Sequence, residues 1–332
     1  MLALFRTRAL THRRGHSVRV NVLSNTIRVL KRKSFLNSTI FLAIVACILW
    51  STAFVGIKIG LEYTSPFQFA GIRFFISGLL IIPFIPNLRE KLIVAKQNVS
   101  KILLVGFVQT FLQYAIFYKG VDMVPGALGA MIIGSGPLFI AIVAHFFMPG
   151  DTLNRRKVVS ILVGLLGIVV ISLGRKQMGA VGSIASVGIL ILIANNLLAG
   201  FGNMLVATDK RRIPPLVLSS FSMIFGGALL FGLGLVTEGY QSGPFPLEYW
   251  LSLAWLSFLS AAAISIWYTL LKRSGVKLST LNMWKFIIPV LGAVLSWLLL
   301  PNEHPTLIAI IGMVLVGLSL VILNWNIRKR GL

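Results

Sequence analysis

Apolar stretches, each ended by a short polar or basic turn, follow one another from about residue 36 to 325. A helix needs about 20 mostly apolar residues to cross ~30 Å of hydrocarbon. Ten runs approach that length: 36–56, 66–86, 101–118, 124–148, 157–173, 183–206, 216–236, 249–271, 279–300 and 306–325. The pattern predicts an all-α polytopic membrane protein with ten transmembrane helices. "KGVDMV" between the third and fourth runs and "KRSGVKL" between the eighth and ninth predict tight hairpins.

The pattern also repeats. Sliding the chain by 149 residues lays "PFQFAGIRFFISGLLIIPF" (66–84) on "PLVLSSFSMIFGGALLFGL" (215–233), matching Pro66 with Pro215 and Gly78 with Gly227. Sliding it by 152 matches Pro137 with Pro289, Pro149 with Pro301 and Asp151 with Glu303. The second run therefore corresponds to the seventh, and the fourth and fifth to the ninth and tenth. Five helices per copy is an odd number, so the second copy enters the membrane from the opposite face. The predicted organisation is two inverted five-helix repeats, 35–176 and 177–326, between basic tails at 1–34 and 327–332. Inverted repeats suit a carrier, because a site at their interface opens to either face when one half rocks against the other. Duplication without transport is the competing reading.

Composition agrees: 57% of residues are hydrophobic and only 12% charged, with mean hydropathy +0.90. Lys and Arg near span ends are retained in the cytoplasm. With both termini inside, 25 of the 31 basic residues fall on the cytoplasmic side, and only Lys58, Lys119, Arg175 and Lys176 lie outside. Topology thus accounts for the net charge of +23 without a nucleic-acid partner, and the expected surroundings are a lipid bilayer, the bacterial plasma membrane. The acid-free first 34 residues have no apolar stretch of their own and do not read as a secretory signal; contact with anionic lipid, a transit-like arm and a plain extension all stay open. The single cysteine, Cys47, excludes a disulfide framework.

Over roughly residues 36 to 325 the chain resembles the EamA-type branch of the drug/metabolite transporter superfamily. The resemblance is carried by "ILWSTAFVGIKIGLEYTSPFQFAGIRFF", by "FYKGVDMVPGALGAMIIGSGPLFIAIVAHFFMPGDTLNRRKVVSILVGLLGIVVI" and by the weaker "PNEHPTLIAIIGMVLVGLSLVIL". It implies ten helices and a small-molecule substrate such as an amino acid, a related metabolite, a nucleobase-like compound or a drug, frequently moved outward. Asp151 stands where the family pattern more often has Glu. The pattern also contains an arginine at position 73 among members with different cargoes, which favours a structural duty there.

Polar residues inside spans tend to face the bundle interior. Asn196, Gly200 and Asn203 share a face of the sixth run, with Asn195 beside them, and Asn203 is the expected cavity residue. In the third run Gln109 and Gln113 stack at i, i+4 beside Tyr114 and Tyr118. Trp50 and Trp267 offer large faces for an apolar or cationic ligand. In the ninth run Asn282, Lys285 and Pro289 share a face; Lys285 lies six residues from the cytoplasmic end, so snorkelling competes with a cavity role. The expected substrate-binding set is Trp50, Gln113, Tyr114, Asn203, Trp267, Asn282 and Lys285. Pro137 and Pro289 free backbone carbonyls and suit gating kinks.

Arg73 sits seven residues inside the second run, permanently charged. All eight acids fall in loops or near span ends, so it must find carbonyls, a carboxylate such as Glu62 or Asp122 reaching in, or an anionic group on the cargo. With no deep acid there is no ordinary proton relay, and no GxxxxGK[ST] loop is present. Transport is expected to be secondary, with no cofactor and no metal. A membrane-embedded lipid-modifying enzyme would need a deep base or metal ligands. Efflux of drugs or cationic aromatic compounds is the alternative within the transporter class.

Overall fold

The computed structural model describes residues 38–124, 132–173, 183–209, 213–299 and 307–325. Both predicted tails, Arg175, Lys176, the "KRR" of 210–212 and Glu303 lie outside the described residues. Chain contacts separate Met1–Leu42 from Ala43–Leu332. In the first unit the Ser38 hydroxyl accepts the Phe41 N–H at 3.1 Å; all that follows concerns the second.

Every regular element among the described residues is helical. In chain order they are α1 (Thr39–Leu61), α2 (Pro66–Ile81), α3 (Leu88–Gln97), α4 (Val99–Val105), α5 (Gln113–Asp122), α6 (Gly136–Phe147), α7 (Arg155–Leu173), α8 (Ser183–Ala207), α9 (Pro215–Thr237), α10 (Leu247–Leu271), α11 (Leu278–Met283), α12 (Ile287–Leu299) and α13 (Leu307–Asn324). Among the described residues, five stretches are long and apolar enough to cross a membrane: Pro66–Phe84, Val99–Val121, Ser186–Ala207, Pro215–Thr237 and Leu247–Leu271.

Three elements depart from uniform spans. The expected loop at 87–101 contains α3, with Leu92 and Ile93 exposed beside its basic residues, as on a helix lying along a bilayer surface. The third run is continuous only through a π-helical stretch, Gly106–Leu112, between α4 and α5. The ninth run is interrupted by a 3-10 turn, Trp284–Phe286, because Pro289 has no N–H for the carbonyl of Lys285 four residues earlier.

The most extensive helix contacts pair α2 with α9 and α7 with α13. Small residues make the first possible. A Cβ on Gly227 would stand 2.5 Å from the Phe75 nitrogen, one on Gly78 would stand 2.5 Å from the Ser220 carbonyl oxygen, and one on Gly71 would strike the Phe231 backbone. The pair is fastened at both ends. The Glu238 carboxylate accepts the Phe67 N–H at 3.1 Å, where the start of α2 presents unpaired donors. Gln68 and Gln241 exchange hydrogen bonds of 2.9 and 3.1 Å, and at the other end the Ser220 hydroxyl donates to the Gly78 carbonyl at 2.7 Å.

One apolar core, around Ile161, Ile168, Met283, Phe286 and Val316, joins α7 and α13 to the ninth run; another, around Phe69, Tyr249, Leu253 and Leu256, joins α2 to α10 and α1. The loop after α6 is held by charge. Asp151, 3% exposed, accepts from Lys157 Nζ at 2.6 Å, from the Ser279 N–H at 2.9 Å and from the Ser279 hydroxyl. Burial pushes its carboxyl pKa up, but these donors outweigh that and hold it below its ordinary value. A second ion pair joins Lys272 to Asp209, which also accepts the Ile213 N–H at 2.9 Å.

Candidate functional site: a polar chain and an ammonium between two indoles

Four helical segments meet around a chain of side chains in which Tyr268, Asn203 and Asn282 are buried and Gln109 is partly buried. The Tyr268 hydroxyl donates to Gln109 Oε1 at 3.2 Å, and Gln109 Nε2 donates to Asn203 Oδ1 at 3.3 Å. Asn203 Nδ2 donates to Asn282 Oδ1 at 3.1 Å, and Asn282 Nδ2 ends the series on the Leu278 carbonyl at 3.0 Å. Each amide accepts from one neighbour and donates to the next, so three amides and a phenol are desolvated together without orphaning the atoms that link them. Gly202 admits Gln109: a Cβ there would stand 2.5 Å from its amide nitrogen.

The π-helical turn explains which glutamine takes part. Its wider i→i+5 winding re-phases the helix, and Gln109, inside it, reaches Asn203. Gln113, the first residue of α5, is partly buried, and its side chain makes no hydrogen bond among the described residues. The sequence spacing alone had stacked the two.

Beside Asn282, the 3-10 turn carries Lys285. Its Nζ lies 4.6 Å from the Trp267 ring centroid and 5.3 Å from that of Trp50. The indoles meet edge to face, 5.1 Å apart. The turn is also tied to α1, where the Cys47 thiol donates to the Trp284 carbonyl at 3.4 Å. The Lys285 ammonium has no hydrogen bond or ion pair among the described residues. Trp267 is 2% exposed, and its Nε1–H has no acceptor among the described residues.

Arg73 is placed differently. It is 3% exposed, with its guanidinium carbon 4.3 Å from the Phe74 ring centroid and 5.7 Å from that of Tyr114. Its Nε and Nη1 have no hydrogen-bond partner among the described residues. Glu62, one of the carboxylates expected to reach it, is exposed, and the side chain of Asp122 lies outside the described set. Glu62 instead lines a shallow depression with Leu61, Tyr63, Thr64, Gln241 and Phe245, which contains none of the expected substrate-binding residues.

Pro137 lies at the first turn of α6, after a break at Ser135. The Ile132 carbonyl left there accepts from Asn196 Nδ2 at 2.6 Å and from the Ser135 hydroxyl at 2.5 Å. Of the residues singled out from sequence, the structure thus gathers Trp50, Trp267 and Lys285 in one cluster, Asn203 and Asn282 in the adjoining chain, and Tyr114 against Arg73. Sequence reasoning passed over Tyr268 and gave Gln109 the wrong companion. The signal for Tyr268 was its place in "IWY", the counterpart of "IFY" at 116–118. No trio of His, Cys, Asp or Glu that could hold a metal is found among the described residues.

Comparison with known proteins places this geometry. An uncharacterized transporter of Bacillus subtilis, YoaV, is 22% identical over 286 residues, 85% of this chain and 95% of that protein. The S-adenosylmethionine/S-adenosylhomocysteine transporter of Chlamydia trachomatis serovar L2 is 23% identical over 316 residues, 92% of this chain and 95% of its own length. A probable amino-acid metabolite efflux pump of Escherichia coli is 25% identical over 305 residues, 87% and 95% of the two chains. One crystal structure superposes with a TM-score of 0.73 at 21% identity, covering 89% of this chain and 99% of the other, which establishes the fold alone. These named relatives are transporters, not enzymes. The profile of the EamA-like transporter family matches residues 37–173 and again 186–325, and the chain belongs to that family of membrane transporters.

Proposed function

We propose that this protein is a secondary transporter of the bacterial inner membrane that moves small metabolites, amino acids or related organic compounds, outward by alternating access. In this reading ten helices form two inverted five-helix repeats, and both termini are cytoplasmic. Its support is the exchange of partners between halves: α2 packs on α9, α7 on α13, and α2 meets α10 as α9 meets the third run. Relatives named for S-adenosylmethionine/S-adenosylhomocysteine and for amino-acid metabolites support a cargo of that size.

One observation carries the reading. A polar chain joins the third and sixth runs to the eighth and ninth, next to an ammonium with no acceptor. Hydrogen-bonded contacts across the two halves can be exchanged as the halves rock, whereas an apolar core offers nothing comparable to a solute. The expected cavity residues remain Trp50, Gln113, Tyr114, Asn203, Trp267, Asn282 and Lys285, with Arg73 shaping the wall and Pro137 and Pro289 marking the joints. Efflux of aromatic compounds is the second reading, favoured by the tryptophan pair; the ammonium between the indoles weighs against cationic ones.

The test is exchange in proteoliposomes loaded with an unfractionated, isotope-labelled metabolite extract. Folded protein should release particular solutes faster than protein-free vesicles, without ATP. Release of none from folded protein overturns the proposal.

A further inference from the structure

We infer that the cargo carries a carboxylate, bound by Lys285 Nζ and the indole N–H of Trp267, with its planar or apolar part against Trp50. The inference rests on the transporter reading and narrows it to a chemical class.

Two donors with no acceptor among the described residues lie at one place. Lys285 brings a formal positive charge and up to three N–H groups, and Trp267 brings a donor that cannot accept. Nζ sits 4.6 Å from the centroid of the same indole whose Nε1–H has no acceptor among the described residues, so the two donors belong to one side-chain cluster. Among the described residues no side chain supplies their acceptor. The Asn282 carbonyl oxygen takes its bond from Asn203, and that of Asn203 takes its bond from Gln109. The neighbouring thiol donates to the Trp284 carbonyl. The two described ion pairs, Lys157–Asp151 and Lys272–Asp209, lie in the loops and consume their carboxylates there.

Ring faces attract an ammonium but leave its N–H groups unbonded. A desolvated charge without a hydrogen-bonded counter-charge is unfavourable, and here the missing group is an acceptor of negative charge. A cationic cargo is disfavoured at the same spot by like-charge repulsion. Lys285 differs from Arg73 in the respect that matters for a ligand. It is partly exposed, whereas Arg73 is 3% exposed.

The test is binding to the purified full-length chain, followed by the unfolding midpoint, with four probes of one skeleton: phenylacetate, phenylacetamide, phenethylammonium and L-phenylalanine. The first three separate negative, neutral and positive charge at constant shape, and the last asks whether a zwitterion is accepted. Phenylacetate or L-phenylalanine should bind on the order of tenfold more tightly than phenylacetamide, and phenethylammonium the most weakly, since hydrogen bonds to charged groups are the stronger ones. Lys285→Met should erase the preference for carboxylate over amide, Lys285→Arg should keep it, and Trp267→Phe, which keeps the ring but loses the N–H, should reduce it. A merely structural lysine would change the affinity for all four probes alike. Amide or amine binding as tightly as carboxylate, or a preference that survives Lys285→Met, overturns the inference. So does binding of none of the four by folded protein. The transporter reading falls separately, by the extract exchange above: solute release without carboxylate preference defeats the inference and leaves that reading standing.

Discussion

The seam between α2 and α9 and the centre around Lys285 are both helix contacts deep in the bundle, yet they are filled in opposite ways. At the seam there is no free space: Gly71, Gly78 and Gly227 face opposing backbone so closely that one added carbon collides. Its ends are tied by Glu238, Gln68 and Ser220, each with a named partner. At the centre two indoles meet edge to face, the Trp267 N–H has no acceptor among the described residues, and the Lys285 ammonium lies against the two rings. The cations divide the same way. Arg73, on the seam helix, is sealed against Phe74 and Tyr114, while Lys285 is partly open between its tryptophans. In lipid, where burying apolar surface gives little drive to helix association, close backbone packing is what holds helices together. A region that gives it up in exchange for unpaired donors is the place to look for a ligand.

The comparison breaks most severely at the seam. Gly227→Val or Gly71→Val puts branched side chains into backbone that cannot move aside, and the expected outcome is loss of monodisperse folded protein after extraction. Gly232→Ala, on the same helix but with nothing within 4 Å of the added carbon, should purify like the parent. Equal behaviour of the two would remove the seam's claim to be the scaffold.

Next in size is the charged latch that ties the loop after α6 to the start of α11. Asp151→Asn leaves the buried Lys157 ammonium without its counter-charge, and a loss of about 3 kcal/mol is expected. The pH dependence has a definite sign. The folded-state pKa of Asp151 is depressed, so its stabilisation is fully present above the unfolded value of ~3.9 and is lost as pH falls through the folded one. Unfolding midpoints measured downward from pH 6 should fall less steeply in Asp151→Asn than in the parent. A parallel fall would take the latch out of the stability account.

How much of this was legible in the sequence follows from what each feature depends on. The apolar runs, the prolines and the Gly78–Gly227 correspondence are properties of composition and spacing, and they foretold a helical membrane protein whose second run answers to its seventh. Asp151 was visible as the match to Glu303, but its hold on Ser279 depends on contact across 128 positions. Lys285 and Trp267 were both singled out; that they meet Trp50 at one point was not readable, because it depends on how α1, α10 and the ninth run cross. Gln109 and Gln113 mark the sharper limit. A regular 3.6-residue period stacks them, and a single π-helical turn, which periodicity cannot foresee, sends one to Asn203 and leaves the side chain of the other without a hydrogen bond among the described residues.

A smaller effect tests the polar chain. Asn203→Leu and Asn282→Leu each orphan one amide of a buried pair, whereas the double replacement removes both. A double-mutant cycle on the unfolding midpoint should return a coupling of about 1 kcal/mol, with the double variant losing less than the sum of the singles. Asn203 also accepts from Gln109 of the other repeat, and if that bond is exchanged during transport, the double variant should lose flux out of proportion to that modest change. Additivity would mean that the two amides meet only incidentally.

The smallest expected change in stability belongs to the residue with the largest expected effect on transport. Lys285→Met keeps an unbranched chain of similar length between the indoles and removes a charge that has no acceptor, so the midpoint should stay within about 1 kcal/mol of the parent or rise. Arg73→Met keeps similar length too, but it gives up a guanidinium lying over Phe74 and near Tyr114, and should lower the midpoint. Opposite signs for the two substitutions would mean that one cation belongs to the fold and the other is held at the expense of the fold for what binds to it. The same sign would erase the distinction between the seam helix and the centre, and with it the reason for placing the ligand at Lys285.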